Sequence, residues 1–407
     1  MELISIPQSE YENYRLDAIF GAYKWDPQFV DSNTIAKHAL VISEEERAEI
    51  DMLTELLDHE TVMAERYLND NMRLSRPLAL PWHTRRYMRR MGNYQPGSHI
   101  RLMRFDFHPK AEGGWAVSEV NSDVPGGFAE ASLLPRIAAA ALKDRDFLTV
   151  DFGAALAKAI LEKAKPGCCV MLVHCTSYSD DRQVMQYLGD KLQGMGAEVI
   201  YAAADHLRFD GKAAYSILDG NKRAVGAIFR FTPLEWLKGI KPASRKGYYD
   251  TVTPSCNHPV AMFAQTKRFP LVWDCLEQAG VQLRAWRELL PETKEVKDAR
   301  NDERYIYKPA CGRVGEGISI KEACREDEYE KIIKDVRKHP KRYIAQLKFD
   351  SLPLISDEGV SYHVCLGSFS LEGKAAGYYA RISETPRIDS HAADIPVLID
   401  MGARRSG

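Results

Sequence analysis

Residues 101–108 alternate between apolar and polar side chains, which is the pattern of a β-strand with one buried face. The aromatic and methionine side chains are expected on one face and the charged side chains on the other. Residues 115–121 can form a partner strand, and turn-forming residues separate the two segments. The pattern therefore predicts a β-hairpin with a four-residue loop at 111–114.

This hairpin would bring two acidic side chains together. A four-residue loop places Asp106 opposite Glu119, and Arg104 opposite Asn121. Carboxylates in facing positions, with Cβ atoms roughly 5 Å apart, repel each other unless a positive charge lies between them. Mg²⁺ is one candidate, because it takes oxygen ligands from a few side chains and from substrate phosphates. The alternative is a solvated hairpin face on which Arg104 neutralises both acids.

A glycine-rich segment follows a second predicted strand. Residues 304–308 are strand-like and precede an apolar run at 318–320, and the glycines between them are Gly312, Gly315 and Gly317. A Walker A loop or a Rossmann turn would open a helix, so neither fits. A strand-to-strand glycine loop can fold over a triphosphate and donate backbone N–H groups, while Lys308 contributes a charge. The hairpin and this loop would then form opposite walls of an ATP site; the alternative is an ordinary glycine-rich hairpin.

Helical patterns dominate the first part of the chain. Residues 128–143 predict one helix. Residues 44–69 predict a long amphipathic helix whose apolar side is formed by Leu53, Leu56, Leu57 and Met63.

The middle of the chain has the pattern of an α/β unit. A strand is predicted at 168–174, a helix at 181–193, and further strands at 198–203 and 227–231. At this spacing, strand, helix and strand imply a right-handed crossover and a parallel sheet. Later segments are predicted helical at 260–280 and 283–290, and from residue 302 onward strands alternate with short helices, including a hairpin turn at 371–374.

Composition and charge exclude several classes of protein. The 407 residues are 45% hydrophobic, enough for two or three domains, and the formal net charge is −2. We therefore expect no nucleic-acid partner. No apolar run reaches the roughly 20 residues that span a bilayer, and the first residues are acidic where a signal peptide would be basic, so we expect a cytoplasmic protein without a membrane partner. The eight cysteines form no Cys-x-x-Cys pair and are expected to be reduced.

Seven short motifs, in order, make the chain resemble the glutathionylspermidine synthetase family of ATP-grasp ligases. The motifs are Arg104 with Asp106, residues 119–125, residues 229–236, Thr266 with Lys267, residues 307–317, residues 343–346 and residues 377–383. The acidic residues precede both lysines, as in the circularly permuted form that this family is understood to have. The resemblance implies a mixed α+β and α/β protein with a circularly permuted ATP-grasp fold, an α/β preATP-grasp-like subdomain and a helical N-terminal region.

The resemblance also implies roles for the hairpin residues and for one arginine near the C-terminus. Mg²⁺, expected as two ions that bridge the ATP phosphates, would be bound by Asp106, Glu119 and Asn121. Charge on the transferring γ-phosphoryl group would be stabilised by Arg104 and Arg381. For Arg381 the alternative is a surface ion pair with Glu372, Glu384 or Asp389.

Further residues would hold the nucleotide if the resemblance is followed. Lys267 and Lys308 would contact the α- and β-phosphates, and Gln346 would lie at the adenine edge. The loop that closes over the phosphates would contain Gly312, Gly315 and Gly317.

The implied reaction is formation of an acyl phosphate from a carboxylate and ATP, followed by attack of an amine to give an amide and ADP. The substrates are a small-molecule or peptide carboxylate and an amine. Hydroxyl residues that usually follow the family's Asn-x-Asp are replaced at residues 124–127, which argues against glutathione as the acid, and we expect the synthetase part only. The alternatives are an ATP-dependent phosphotransferase acting on a small molecule or peptide, and a non-catalytic ATP-binding module.

Four regions are predicted. Residues 1–95 form a mainly helical N-terminal region, and residues 96–165 contain the metal-ligand hairpin and a helix of the ATP-grasp core. Residues 166–258 form the α/β subdomain, and residues 259–407 form the nucleotide-binding region with the glycine-rich lid loop.

Overall fold

The fold is taken from a computed structural model of the chain. It describes residues 1–24, 28–29, 32–92, 94–143, 145–300, 302–312, 315 and 317–402. Three residues of the predicted glycine loop, Arg313, Val314 and Glu316, lie outside the described residues.

The α-helices are distributed along the described chain. They are α1 (Gln8–Gly21), α2 (Glu44–Asp70), α3 (Trp82–Met88), α4 (Leu133–Ala141), α5 (Phe152–Lys163), α6 (Ser179–Gly194), α7 (Pro242–Asp250), α8 (Met262–Gln265), α9 (Trp273–Gln278), α10 (Arg284–Leu289) and α11 (Glu326–Lys338). In the described part of the chain, none of these is both long and apolar enough to cross a bilayer.

The β-strands are mostly short. They are β1 (Glu2–Ser5), β2 (Gln28–Phe29), β3 (Ser32–Asn33), β4 (His38–Ser43), β5 (Leu102–Pro109), β6 (Trp115–Asn121), β7 (Phe147–Leu148), β8 (Cys169–Val173), β9 (Val199–Ala202), β10 (Leu207–Asp210), β11 (Ala213–Ser216), β12 (Arg223–Arg230), β13 (Ser255–Cys256), β14 (Thr293–Lys294), β15 (Tyr305–Pro309), β16 (Tyr343–Leu347), β17 (Leu354–Ile355), β18 (Ser361–Leu371), β19 (Lys374–Ser383), β20 (Ala393–Ile395) and β21 (Val397–Asp400).

Two of the sheets surround the candidate site. The larger has the order β20-β19-β18-β5-β6, with β17 added to β18, and the smaller has the order β14-β16-β15. A third sheet, β10-β11-β12-β8-β9, has β13 paired with β12. In it β8 runs parallel to β9 and β12, which confirms the predicted parallel pairing. A fourth sheet, β1-β4-β21-β7, joins the two ends of the chain.

The β5–β6 hairpin has the predicted pairing at the site but a different loop. Both predicted cross-strand pairs are present. Nearer the turn, however, Pro109 pairs with Trp115, and Ser118 is an extra residue that restores the register as a β-bulge. The predicted four-residue loop is therefore wrong by one residue. The Lys110 N–H donates to the Gly114 carbonyl at 3.0 Å, so the loop closes at Gly114 and not after it.

Helix α2 confirms the predicted long helix and half of its predicted apolar side: Leu57 is fully buried and Leu53 packs against the core. Leu56 and Met63 are instead 45% and 42% exposed. The buried side also carries Asp58 and Glu65, each 2.6 Å from a guanidinium nitrogen of Arg101. A buried arginine requires such carboxylate partners, so polar residues share this face with the leucines.

Two predicted helices are shorter or broken. The helix predicted at 128–143 begins only at Leu133, because the Ser132 hydroxyl binds the Phe128 carbonyl and the backbone before it forms turns. The helix predicted at 260–280 is divided into α8 and α9. Its backbone is interrupted at Lys267, whose N–H binds the Ala310 carbonyl at 2.9 Å.

The segment after the glycines is not the predicted strand. Ser319 N–H donates to the Tyr307 carbonyl at 3.0 Å, but the Tyr307 N–H donates to the Ser319 hydroxyl at 2.7 Å. In a regular β-ladder both of these hydrogen bonds would join backbone atoms, but here a side-chain hydroxyl accepts the second one. Residues 318–320 therefore lie beside β15 without forming a strand.

Candidate functional site

The two site-forming sheets face each other across a cavity of about 430 Å³. Strands β5 and β6 provide one wall, β15 a second, and β19 a third. The predicted site residues that line the cavity are Arg104, Asp106, Glu119, Asn121, Lys308, Gly315 and Arg381. Residues more than two hundred positions apart in the sequence therefore converge on one space.

The two facing carboxylates each have a separate cation. Arg104 donates through two nitrogens to Asp106, at 2.7 and 3.0 Å. Lys267 Nζ lies 2.6 Å from Glu119 Oε2. The Asn121 amide nitrogen lies 3.0 Å from Asp106 Oδ2 and 3.5 Å from Glu119 Oε1. The hairpin face is thus neither solvated nor neutralised by Arg104 alone, which was the alternative considered from the sequence.

The electrostatic environment differs between the two acids. Burial raises the pKa of Asp106, although Arg104 opposes this effect. Burial would also raise the pKa of Glu119, but the charges of Lys267, Lys308 and Arg104 outweigh it and hold that pKa at about 2. Glu119 is therefore ionised across the physiological range.

The two lysines approach the hairpin from different elements. Lys267 Nζ also donates to the Gly312 carbonyl at 2.9 Å, so it connects the hairpin to the glycine segment. Lys308 Nζ lies 3.5 Å from the Ser118 carbonyl. Burial lowers the pKa of Lys308 to about 8, despite the favourable charge of Glu119. Burial and the charge of Lys308 lower the pKa of the adjacent His108 to about 4, so this histidine is neutral.

Two described glycines of the loop have backbone geometry that favours glycine. Gly315 and Gly317 have φ of +67° and +68°. A side chain at Gly315 would also collide with the carbonyl of Ile388. Gly315 lines both the site cavity and the neighbouring outer groove, Gly317 lines only that groove, and Gly312 contacts Lys267.

Gln346 lies behind the large cavity and does not line it. It is buried on β16, in a small space lined also by Glu119, Lys267 and Trp286. Its amide nitrogen donates to the Thr293 hydroxyl at 3.1 Å, and its amide oxygen is buried without a hydrogen-bond partner among the described residues. Its role at an adenine edge stays a prediction.

Arg381 is held inside the molecule and not on the surface. Its side chain is 16% exposed, and one nitrogen donates to the carbonyls of Asp389 and Ala392. Its neighbouring carboxylate is Asp394, directly opposite on β20 and 3.7 Å from Arg381 Nε. The alternative considered from the sequence, a surface ion pair with Glu372, Glu384 or Asp389, is therefore wrong. The carboxylate beside Arg381 is the buried Asp394, which the sequence did not identify.

Other residues that sequence reasoning missed support the arginines. The Tyr379 hydroxyl donates to Asp394 Oδ1 at 2.6 Å, and the Arg104 guanidinium lies 4.9 Å from the centre of the Tyr379 ring. Gly127, at φ +98°, passes so close to this ring that a Cβ would be 2.8 Å from it. Asp394 could have been noticed in the sequence, because it is an acidic residue within the apolar run 392–399. No feature of the sequence pointed to Lys24, which binds it.

The charges facing the cavity suit a polyanion. Three cationic side chains, Arg104, Lys308 and Arg381, line it beside the two carboxylates of the hairpin, and Lys267 reaches Glu119 from the small space behind the cavity. Among the described residues, no cluster of three or more His, Cys, Asp and Glu side chains could hold a metal ion by itself. Two carboxylates and an amide are nevertheless the kind of incomplete oxygen set that Mg²⁺ takes together with phosphate oxygens.

Comparison with known proteins identifies the fold. A sequence profile of the family described as Glutathionylspermidine synthase preATP-grasp matches residues 18–400. The structure of a glutathione synthetase-like effector from Globodera pallida, in apo form, has a TM-score of 0.64 and 14% identity over 96% of this chain and 97% of that chain. A putative gamma-glutamylcysteine synthetase from Methylobacillus flagellatus KT has a TM-score of 0.42 and 14% identity, covering 82% of this chain and 86% of that chain. A search of curated proteins found no match. The profile and the first structure confirm the predicted fold class.

Proposed function

Since the chain belongs to the glutathionylspermidine synthase preATP-grasp family, we propose that it is an ATP-dependent ligase that joins a carboxylate to an amine. The cavity of about 430 Å³ falls within the range of small-molecule sites. The observation that carries the proposal is the convergence of facing carboxylates, Lys308 and two arginines around this one space, with Lys267 bound to Glu119 from behind it.

The nucleotide would lie between the hairpin and β15. An apolar part of the cavity is suited to a base and is lined by Ile306, Ile318, Ile320 and Phe349. Lys308 stands between this apolar part and the hairpin, where it can neutralise phosphate oxygens. Lys267 uses two of its three N–H donors on Glu119 and the Gly312 carbonyl, which leaves the third for a phosphate oxygen.

Mg²⁺ fits the hairpin face, where Asp106, Glu119 and Asn121 would hold it. When bound, it would screen the phosphate charge and make the terminal phosphorus more susceptible to attack. The chain's own contribution is the geometry of the donors. The Asn121 amide, within 3.0 Å of Asp106 and 3.5 Å of Glu119, keeps the three side chains together.

The arginines would bind the reacting groups. An oxygen of the carboxylate substrate attacks the γ-phosphorus of ATP, and ADP leaves; the amine then attacks the acyl carbon, and phosphate leaves with a proton lost from nitrogen. Arg104 has two nitrogens on Asp106 and a third 2.9 Å from the Gly126 carbonyl, so its orientation is fixed. Arg381 Nε is buried without a hydrogen-bond partner among the described residues and can be directed to an incoming oxyanion.

The acid remains unassigned, and glutathione is not favoured. Val124 and Gly126 line the cavity at positions where hydroxyl side chains are usual in the family. The adjoining wall is also largely apolar and includes Phe231 and Pro233. A small-molecule or peptide acid with less demand for hydroxyl contacts fits this wall better.

The proposal is tested by following ATP with a panel of acids and amines in the presence of Mg²⁺. A ligase produces ADP and an amide only when both an acid and an amine are present. A stable phosphorylated acceptor would instead identify a phosphotransferase. Nucleotide binding without turnover across the panel would favour a non-catalytic module.

A further inference from the structure

A lysine of the N-terminal region binds the carboxylate that lies beside Arg381. Lys24 Nζ lies 2.6 Å from Asp394 Oδ2 and 2.6 Å from Glu130 Oε1. The Lys24 side chain is 18% exposed, and both carboxylates are more buried still. Burial opposes its charge, but Asp394 and Glu130 outweigh this and hold the pKa of Lys24 well above its ordinary value.

The backbone of the same region also holds Asp394. The Asp394 N–H donates to the Thr34 carbonyl at 2.7 Å, and the Ala36 N–H donates to the Asp394 carbonyl at 2.9 Å. The N-terminal region therefore fixes both the main chain and the carboxylate of Asp394. None of the described residues of this region lines the cavity, so those residues act on the site only through such contacts.

Asp394 in turn lies next to Arg381 and is linked to Arg104 through Tyr379. It accepts the Tyr379 hydroxyl, whose ring supports Arg104, and it lies 3.7 Å from Arg381 Nε. At 3.7 Å this contact is an ion pair without a hydrogen bond. Lys24 occupies the other carboxylate oxygen, which leaves Arg381 less tightly paired than it would be with an uncompensated aspartate.

Removal of Lys24 would change this balance. Glu130 and Asp394 are held within about 5 Å of each other, because each lies 2.6 Å from the same nitrogen. Without that nitrogen the two carboxylates repel, and the nearest remaining cation for Asp394 is Arg381. Arg381 would then be drawn into a closed ion pair and would be less available to an anion in the cavity.

We propose that Lys24 is a positioning residue of the ligase site: by binding Asp394 it keeps Arg381 directed toward the transferring phosphoryl group. This inference rests on the proposed function. It gives the N-terminal region a role in discriminating nucleotides that carry a γ-phosphate from those that lack it.

The test compares binding of Mg²⁺·AMP-PNP and Mg²⁺·ADP by calorimetry, which requires no knowledge of the acid or amine. Lys24→Met should weaken AMP-PNP binding about tenfold, a change of about 1.4 kcal/mol, and leave ADP binding within about twofold. Lys37→Met is the matched control, because Lys37 is a lysine of the same region that pairs with Glu358 at the surface. It should bind both nucleotides as the wild type does.

Two double variants separate positioning from packing. Lys24→Met with Asp394→Asn and Lys24→Met with Glu130→Gln carry the same net charge, but only the first removes the carboxylate beside Arg381. The first should recover wild-type discrimination between AMP-PNP and ADP, and the second should remain impaired. If Lys24→Met alone fails to fold, the two double variants are compared with each other instead.

Three results would overturn the inference. One is equal weakening of AMP-PNP and ADP binding in Lys24→Met, and another is unchanged binding of both. The third is recovery by Glu130→Gln as complete as that by Asp394→Asn. If wild-type protein binds both nucleotides but Lys24→Met is unaffected, only the role of Lys24 fails. If the wild type binds neither nucleotide, the proposed function fails as well.

Discussion

Replacement of Glu119 by glutamine tests the hairpin as a metal and phosphate site. The amide keeps the shape of the side chain but removes its charge. The contacts of the carboxylate are Lys267 at 2.6 Å and the Asn121 amide at 3.5 Å. Lys267 retains the Gly312 carbonyl as a partner, so the variant does not leave that lysine without a hydrogen bond.

The structural cost of this change can be bounded. Its surroundings lower the pKa of Glu119 from 4.5 to about 2, so they favour the carboxylate by roughly 3 kcal/mol. Because this pKa is lowered, the stabilisation is present above about pH 4.5 and is lost as the pH falls toward about 2. Relief of the repulsion between Glu119 and Asp106 offsets part of the loss in Glu119→Gln. We therefore expect a folded variant, less stable at pH 7 by under roughly 3 kcal/mol.

The functional cost should appear as a loss of turnover in a protein that remains folded. A lost charged contact of this kind lowers turnover by about 10² or more, equivalent to at least roughly 2.7 kcal/mol of barrier. Mg²⁺-dependent ADP formation with an acid and amine found by the panel is the assay, and Mg²⁺-dependent AMP-PNP affinity is a substrate-independent check. Glu112→Gln, at the exposed turn of the same hairpin, is the control and should be silent. Unaltered ADP formation by Glu119→Gln at saturating Mg²⁺ would refute the assignment of this hairpin.

Three further predictions concern the other walls of the cavity. Arg381→Lys should lower kcat while KM for ATP changes little, because the planar guanidinium fork is needed most by the transferring phosphoryl group; equal kcat for the two proteins would contradict this. AMP-PNP affinity should fall as the pH rises from about 7 to about 9.5, since the amine of Lys308, whose pKa is lowered to about 8, loses its proton in this range. Lys308→Arg should flatten that profile, and a profile as steep as the wild type's would exclude Lys308 as its source. The glycine loop should be cleaved near Arg313 more slowly by trypsin when ATP and Mg²⁺ are present; equal rates would show that the loop does not cover the phosphates.

Local patterns were sufficient for some parts of the site. The alternation around Phe105 and the turn residues after Pro109 specified which side chains of β5 and β6 face each other, because strand periodicity is strictly two. The bulge at Ser118 was missed although the pattern carries its signal: the apolar positions Trp115 and Val117 are two residues apart, whereas Val117 and Val120 are three apart.

Long-range contacts account for what the sequence did not reveal. Leucine spacing gave only part of the buried face of α2, because Arg101, a distant residue, requires Asp58 and Glu65 beside it. Asp394 and Lys24 are 370 positions apart and meet only when the fourth sheet joins the two ends of the chain. The family motifs predicted Arg381, but not the carboxylate next to it.

Transfer of oxygen from the acid to phosphate tests the central claim most directly. The acid is labelled with ¹⁸O in both carboxylate oxygens and incubated with the protein, Mg²⁺, ATP and the amine, and the products are analysed by mass spectrometry. An acyl phosphate requires one carboxylate oxygen to leave with the phosphoryl group, so the account predicts ADP, an amide with one ¹⁸O and inorganic phosphate with one ¹⁸O. Amide accompanied by AMP and pyrophosphate, or phosphate free of ¹⁸O, would contradict it.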